Sequence, residues 1–113
     1  MATEPRLTAD FWVRAYLARL EQASIPAFVT SKGDATAGAI LVKLATLDGQ
    51  ARAYHRSYDL ISGARVWLTL AEGTEPEVDQ AIARQCRNDP DLWVIEIEDR
   101  DGRTLLDQDG LSD

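Results

Sequence analysis

Residues 39–58 read AILVKLATLDGQARAYHRSY. Asp48-Gly49 between two alternating runs is the strongest short-range signal for a β-hairpin. A two-residue loop there pairs Leu47 with Gln50, Ala45 with Arg52, Lys43 with Tyr54, Val42 with His55 and Leu41 with Arg56. With a period of two, one face carries Ile40, Val42, Leu44, Ala51 and Ala53. The other carries Lys43, Arg52 and Arg56 among Leu41, Tyr54 and Tyr58. This second face is basic and aromatic, in a chain of 113 residues with a formal net charge of -7. Lys43, Arg52, Tyr54, Arg56 and Tyr58 therefore form the candidate binding face.

Towards the N-terminus, residues 32–38 are a loop of small residues, preceded by a short strand at 27–30. Before it, Trp12, Val13, Tyr16, Leu17, Leu20 and Ala23 recur at helical spacing. Thr8 is a suitable N-cap and Asp10 suits the first turn, which predicts a helix over 9–23. Pro26 ends it. Towards the C-terminus, Ser62-Gly63 makes a turn and residues 66–70 a strand. Thr74-x-x-Glu77 is a capping box opening a second helix over 75–87. Asn88-Asp89-Pro90 stops that helix. Trp93, Ile95 and Ile97 alternate with Val94, Glu96 and Glu98 as a strand. Asp101-Gly102 turns into a short strand at 103–106, and the acidic tail 107–113 is expected to fray. The fold expected is α+β: a two-layer sandwich with a mostly antiparallel sheet of about five strands and two amphipathic helices on one face. It forms a single domain over 1–113, ordered from about 6 to 107.

Composition bounds the function. A chain of this length hides roughly two-thirds of its unfolded surface, enough for one core without staples. The single cysteine, Cys86, forms no internal disulfide and suits a reducing compartment. The first residues lack the layout of a signal peptide, and no apolar run approaches the ~18 residues of a membrane span. The reading is a cytoplasmic protein with no membrane partner. Charge is uneven: residues 1–31 are neutral, 32–65 carry +2 and 66–113 carry -9. An acidic whole disfavours sequence-independent nucleic-acid binding, which draws most of its affinity from phosphate contacts.

Four other features invite a chemical reading. The loop Gly33–Gly38 lacks the Gly-Lys-Ser/Thr ending of a phosphate loop and runs into a strand. Its glycines read as a connection that needs positive φ. His55 pairs with Val42 on the apolar face, with no carboxylate placed to orient it as a base. Cys86 lies at the C-terminal end of its helix, where the dipole opposes a thiolate, and reads as a small buried hydrophobe. Glu96, Glu98, Asp99 and Asp101 echo part of a calcium loop, but Gln108 stands where the closing Glu belongs. The sequence thus offers no catalytic, cofactor-binding or metal-ligating residue.

The segments Arg6-Leu7, Phe11-Trp12-Val13, Gly33-Asp34-Ala35-Thr36-Ala37-Gly38-Ala39 and Asp89-Pro90-Asp91-Leu92-Trp93-Val94-Ile95-Glu96 resemble a family of short alphaproteobacterial proteins, the domain of unknown function numbered 1491. The resemblance runs from about Arg6 to Asp107. It implies a small bacterial protein with no assigned activity and brings no site residues. The function expected from the residues is a non-enzymatic protein-interaction or self-association domain, with a protein partner or a second copy as in a homodimer. The alternatives are single-stranded nucleic-acid binding through the basic-aromatic face and a small enzyme centred on His55.

Overall fold

The computed structural model describes residues 7–111, the side chain of Tyr58 excepted. Arg6 and the last two residues lie outside the described part. The elements run α1 (Ala9–Gln22), β1 (Ala27–Ser31), β2 (Ile40–Ala45), β3 (Gln50–Tyr58), β4 (Arg65–Thr74), α2 (Glu75–Asn88) and β5 (Trp93–Glu98). The five strands form one sheet in the order β1-β5-β2-β3-β4. Three pairings are antiparallel, and β2 lies parallel to β5. The fold is α+β, with two helices and a five-stranded, mostly antiparallel sheet.

One part of the expected arrangement is corrected. The helices pack on opposite faces of the sheet. Trp12, Val13, Tyr16 and Leu20 of α1 cluster with Ile40, Val42 and Leu44, and with Trp93, Ile95 and Ile97. Val78 and Ile82 of α2 cluster instead with Leu41, Ala51, Ala53 and Val94. Central β2 is therefore buried at all six positions. A strand covered on both faces reads as a nearly continuous apolar run rather than an alternation. ILVKLA is such a run.

The hairpin register is also corrected. Ala45 pairs with Ala51, Leu44 with Arg52, Lys43 with Ala53, Val42 with Tyr54 and Leu41 with His55. Leu47 takes φ 64° and Gly49 φ 87°, so the turn absorbs an extra residue and Leu47–Gly49 form a three-residue loop. A one-residue slip exchanges the faces of one strand relative to its neighbour. Lys43 thus leaves the company of Arg52, Tyr54 and Arg56.

Helix α1 starts at Thr8, as the sequence suggests, but the Thr8 hydroxyl donates to Asp10 rather than capping the helix. The backbone amides of Ala9 and Asp10 donate instead to the carbonyls of Thr36 and Ala35 in the small-residue loop, at 3.1 and 2.9 Å. Helix α2 uses its capping box as expected: Thr74 Oγ1 accepts from the Glu77 amide at 3.4 Å.

No strand forms over residues 103–106. The segment expected to fray after 106 packs against the α1 face as far as it is described. Leu106 is buried and Leu111 is fully buried in the α1-side core. Tyr16 donates its hydroxyl to the Thr104 carbonyl at 2.8 Å, Arg19 donates to the Asp109 carbonyl at 2.6 Å, and the Trp67 indole donates to the Leu111 carbonyl at 3.1 Å. Burial first, and then Tyr54, push the Tyr16 hydroxyl well above the usual tyrosine range. A short apolar anchor inside an acidic tail is a weak sequence signal, and here Leu106 and Leu111 join the α1-side core.

Candidate interaction site

Lys43, expected on the basic-aromatic face, points to the α2 side and is only 4% exposed. Its ammonium meets Asp79 at 2.7 Å, Glu75 at 2.8 Å and Glu96 at 3.3 Å. Glu75 and Asp79 stand one turn apart on α2, and Glu96 is the rung beside Lys43 in β5. Burial pulls the ammonium pKa down. Hydrogen bonds to Asp79 and Glu75 and the charge of Glu96 outweigh it and hold Lys43 above the ordinary lysine value. Lys43 ties α2 to the sheet and lies on the face opposite Arg52, Tyr54 and Arg56.

Arg52, Tyr54 and Arg56 do share one face, since alternate residues of β3 point the same way. Arg52 is exposed and paired with Glu72 across the β3–β4 rung at 2.9 Å. Tyr54 is half-buried beside the α1-side core. The Arg56 guanidinium lies 4.9 Å from the ring centre of Trp12 and 5.4 Å from that of Trp67, which are themselves 5.5 Å apart. Tyr58 ends β3, and its side chain lies outside the described part.

The β3–β4 pair extends past the rest of the sheet. The β2–β3 pairing ends at Leu41–His55, whereas the β3–β4 pairing runs on to Tyr58–Arg65. The result is a two-stranded arm. At its tip Leu60 and Ile61 are 100% and 98% exposed. The tip is an ordered turn: Asp59 Oδ1 accepts from the Ile61 amide at 2.8 Å and from the Ser62 amide at 3.4 Å. The Asp59 and Ala64 backbones are bonded at 2.8 Å. These amide bonds to its carboxylate, Ile61 first, lower the Asp59 pKa. At the base of the arm, Tyr54, Val66, Trp67 and Leu106 line an open groove of about 480 Å³, with Arg65 and Asp107 at its margin.

The other sequence candidates stand elsewhere in the fold. Gly33 and Gly38 are not at positive φ; they allow close approach. A Cβ on Gly33 falls 2.2 Å from the Asp91 carbonyl oxygen, and one on Gly38 falls 2.5 Å from the same atom. His55 stands opposite Leu41 and Leu68 on the α2 side, rather than opposite Val42. Cys86 is half-buried against the α2-side core. Asp99 accepts from the amide, Nε and Nη2 of Arg103, at 2.7, 3.1 and 3.0 Å, so its carboxylate closes a turn. Among the described residues, no group of three or more His, Cys, Asp or Glu is placed to hold a metal ion, and no helix is long and apolar enough to cross a membrane.

Comparison with known proteins places the chain. The pattern defining the family "Protein of unknown function (DUF1491)" matches residues 7–107. The chain belongs to the DUF1491 family. A crystal structure of a DUF1491 protein from Caulobacter crescentus CB15 is 42% identical, covers 90% of this chain and 96% of its own, and superposes with a TM-score of 0.83. An NMR structure of a DUF1491 protein from the same organism is 44% identical over 89% of this chain and 93% of its own, with a TM-score of 0.78. The solution structure of protein Atu0922 from A. tumefaciens is 32% identical over 83% of this chain and 86% of its own, with a TM-score of 0.70. No curated protein matches.

In this DUF1491 protein the segments that carry the resemblance meet in space. The Asp34 amide donates to the Asp91 carbonyl at 3.0 Å, and the Trp93 indole donates to the Asp34 carbonyl at 2.8 Å. With the carbonyls of Ala35 and Thr36 on α1, they knit loop, helix and β5 together. Residues 34–36, the start of α1 and residues 91–93 thus form one hydrogen-bonded unit. The residues that sequence reasoning missed are Leu60, Ile61 and Arg65. A signal for the first two was present: two aliphatic residues stand between Asp59 and Ser62-Gly63, inside a stretch whose neighbours all favour a turn.

Proposed function

We propose that this chain is a non-enzymatic protein-interaction domain whose contact surface is the β3–β4 arm. The observation that carries the reading is the fully exposed pair Leu60–Ile61 on an ordered turn. Large exposed aliphatics at the end of a two-stranded projection, with an apolar groove at its base, suit a docking surface. Burying each on a partner contributes roughly 1.5–3 kcal/mol. Single-stranded nucleic-acid binding has less support, because Lys43 lies on the opposite face and Arg52 is held by Glu72.

The test is purification of the tagged chain from its own cells, wild type against Leu60→Ser/Ile61→Ser. Both positions are exposed, so the variant should unfold within about 0.5 kcal/mol of wild type. The reading expects one protein at near-stoichiometric yield with wild type and its loss with the variant. A partner retained undiminished by the variant, or nucleic acid recovered in its place, contradicts it.

A further inference from the structure

We infer that the chain forms a homodimer in which β4 of one copy pairs antiparallel with β4 of the other, centred on Leu68. The inference does not rest on the tip of the arm, since Leu60 and Ile61 lie outside the paired stretch. β4 closes one side of the sheet. Among the described residues it pairs with β3 alone, and no backbone hydrogen bond from another element reaches residues 65–74. Backbone amides and carbonyls at alternate rungs therefore face outward along it. Such edges are commonly blunted by shortness, proline, lysine or a break in pairing. β1, on the other side of the sheet, is five residues long and breaks register between Val29 and Ser31. β4 is ten residues long, has neither proline nor lysine, and carries charge only at Arg65 and Glu72. Leu68, between them, is 45% exposed.

The order of side chains along β4, read with its bulge, selects a second copy. A two-fold axis normal to the sheet keeps each side chain on its own face, so it passes through a residue that meets its own mate. With the axis at Leu68, Trp67 meets Thr69 of the second copy. Beyond that point the strand is irregular: Tyr54 of β3 stands opposite Thr69 and Ala53 opposite Ala71, which leaves Leu70 as an extra residue. Counted through this bulge, Val66 meets Ala71 and Arg65 meets Glu72. Arg65 and Glu72 do share a face, since their β3 partners Tyr58 and Arg52 belong to one alternating set. A regular strand would set Arg65 against Ala71 instead. Moving the axis by one residue either way sets Arg65 against Thr69 or Thr74, with no acid. The bulge thus brings opposite charges together at both ends of the pair, while the two exposed Leu68 side chains cover each other. Glu72 is already bonded to Arg52 at 2.9 Å, so its carboxylate comes to stand between two guanidiniums. Arg65 makes no ion pair among the described residues, Asp107 of the same groove included. The net charge of -7 opposes any self-contact, but physiological salt screens it beyond about 8 Å. The charges on this edge are of opposite sign and meet as neighbours on one rung.

Sedimentation equilibrium on the full chain should show a dimer with a micromolar Kd. Arg65→Glu sets Glu against Glu at both ends of the pair, and Glu72→Arg sets Arg against Arg. Each variant alone should weaken the dimer by about tenfold. Mixed together, the two variants restore an Arg–Glu rung at each end and should associate with near wild-type affinity. That recovery also shows that both variants are folded. A wild-type chain that stays monomeric up to millimolar concentration, a dimer that either charge reversal leaves intact, or a mixture that stays monomeric overturns the inference. Leu60→Ser/Ile61→Ser separates this inference from the interaction reading above, and should leave the dimer intact. If it dissociates the dimer, the contact lies at the tip, which overturns the edge pairing and keeps the interaction domain. An intact dimer that retains its partner undiminished supports the edge pairing and overturns the tip reading alone.

Discussion

Lys43→Ala should lower the unfolding free energy by about 4 kcal/mol, read as a shift of the urea midpoint with an unchanged slope. Lys43 is 4% exposed and its ammonium is shared by Asp79, Glu75 and Glu96 within 3.3 Å. Removing it leaves three carboxylates facing one another at the seam between α2 and the sheet, and a void where the lysine stem lay. Breaking a buried pair on one side costs about 3–5 kcal/mol. The partly exposed Glu75 and Asp79 retain some water, which keeps the expected loss from exceeding that range. Lys43→Met restores the stem but not the charge and should recover less than half of the loss. Adding Asp79→Asn and Glu75→Gln to Lys43→Met should recover most of it. The pH dependence has a defined sign. The folded pKa of Lys43 is raised, so its contribution is fully present below the unfolded lysine value of about 10.4 and is lost as pH rises above it. Unfolding free energy should therefore fall on the alkaline side more steeply in wild type than in Lys43→Met.

Gly33→Ala should cost about 3 kcal/mol, the upper part of the range for overpacking. The added Cβ falls 2.2 Å from the Asp91 carbonyl oxygen, 2.6 Å from the Trp93 ring and 2.7 Å from the Leu92 carbonyl carbon. Two of these three atoms are backbone, so no rotamer change relieves the contact. The loop must move, and with it the carbonyls that cap α1 and the oxygen that binds the Trp93 indole. Amide hydrogen exchange at Ala9 and Asp10 should accelerate along with the loss of global stability. Gly49→Ala is the control: a Cβ there has open space, and only the φ of 87° opposes it, so about 1 kcal/mol is expected. Equal losses at the two positions would remove close approach as the role of Gly33.

The physics of these two sites also explains what could be read from the chain. Helix ends were legible because their signals are local: Thr74 and Glu77 cap α2, and Pro26 follows α1. The five-stranded α+β class was legible from periodicity and turn residues. The hairpin register was not, because Leu47 at positive φ is rare for a branched side chain and carries no signature. That single residue placed Lys43 on the wrong face. The position of α2 was legible only in part. The run Ile40–Ala45 is apolar except for Lys43, and Lys43 within it suggests a wet face; its three acids lie 32, 36 and 53 residues away and cannot be paired from sequence. Likewise the docked end depends on Leu111 finding the Trp67 side of the core, a long-range contact. Of the candidate face, Arg52, Tyr54 and Arg56 stayed together because they belong to one strand, which no register error can separate.

The most direct test of the docking surface is site-specific photo-crosslinking in the cell, with a photoreactive amino acid placed at Leu60 and, as a control, at exposed Gln80 on α2. The account predicts a discrete protein adduct from position 60 that position 80 does not give. The same adducts from both positions, or crosslinks from position 60 to nucleic acid alone, would contradict it.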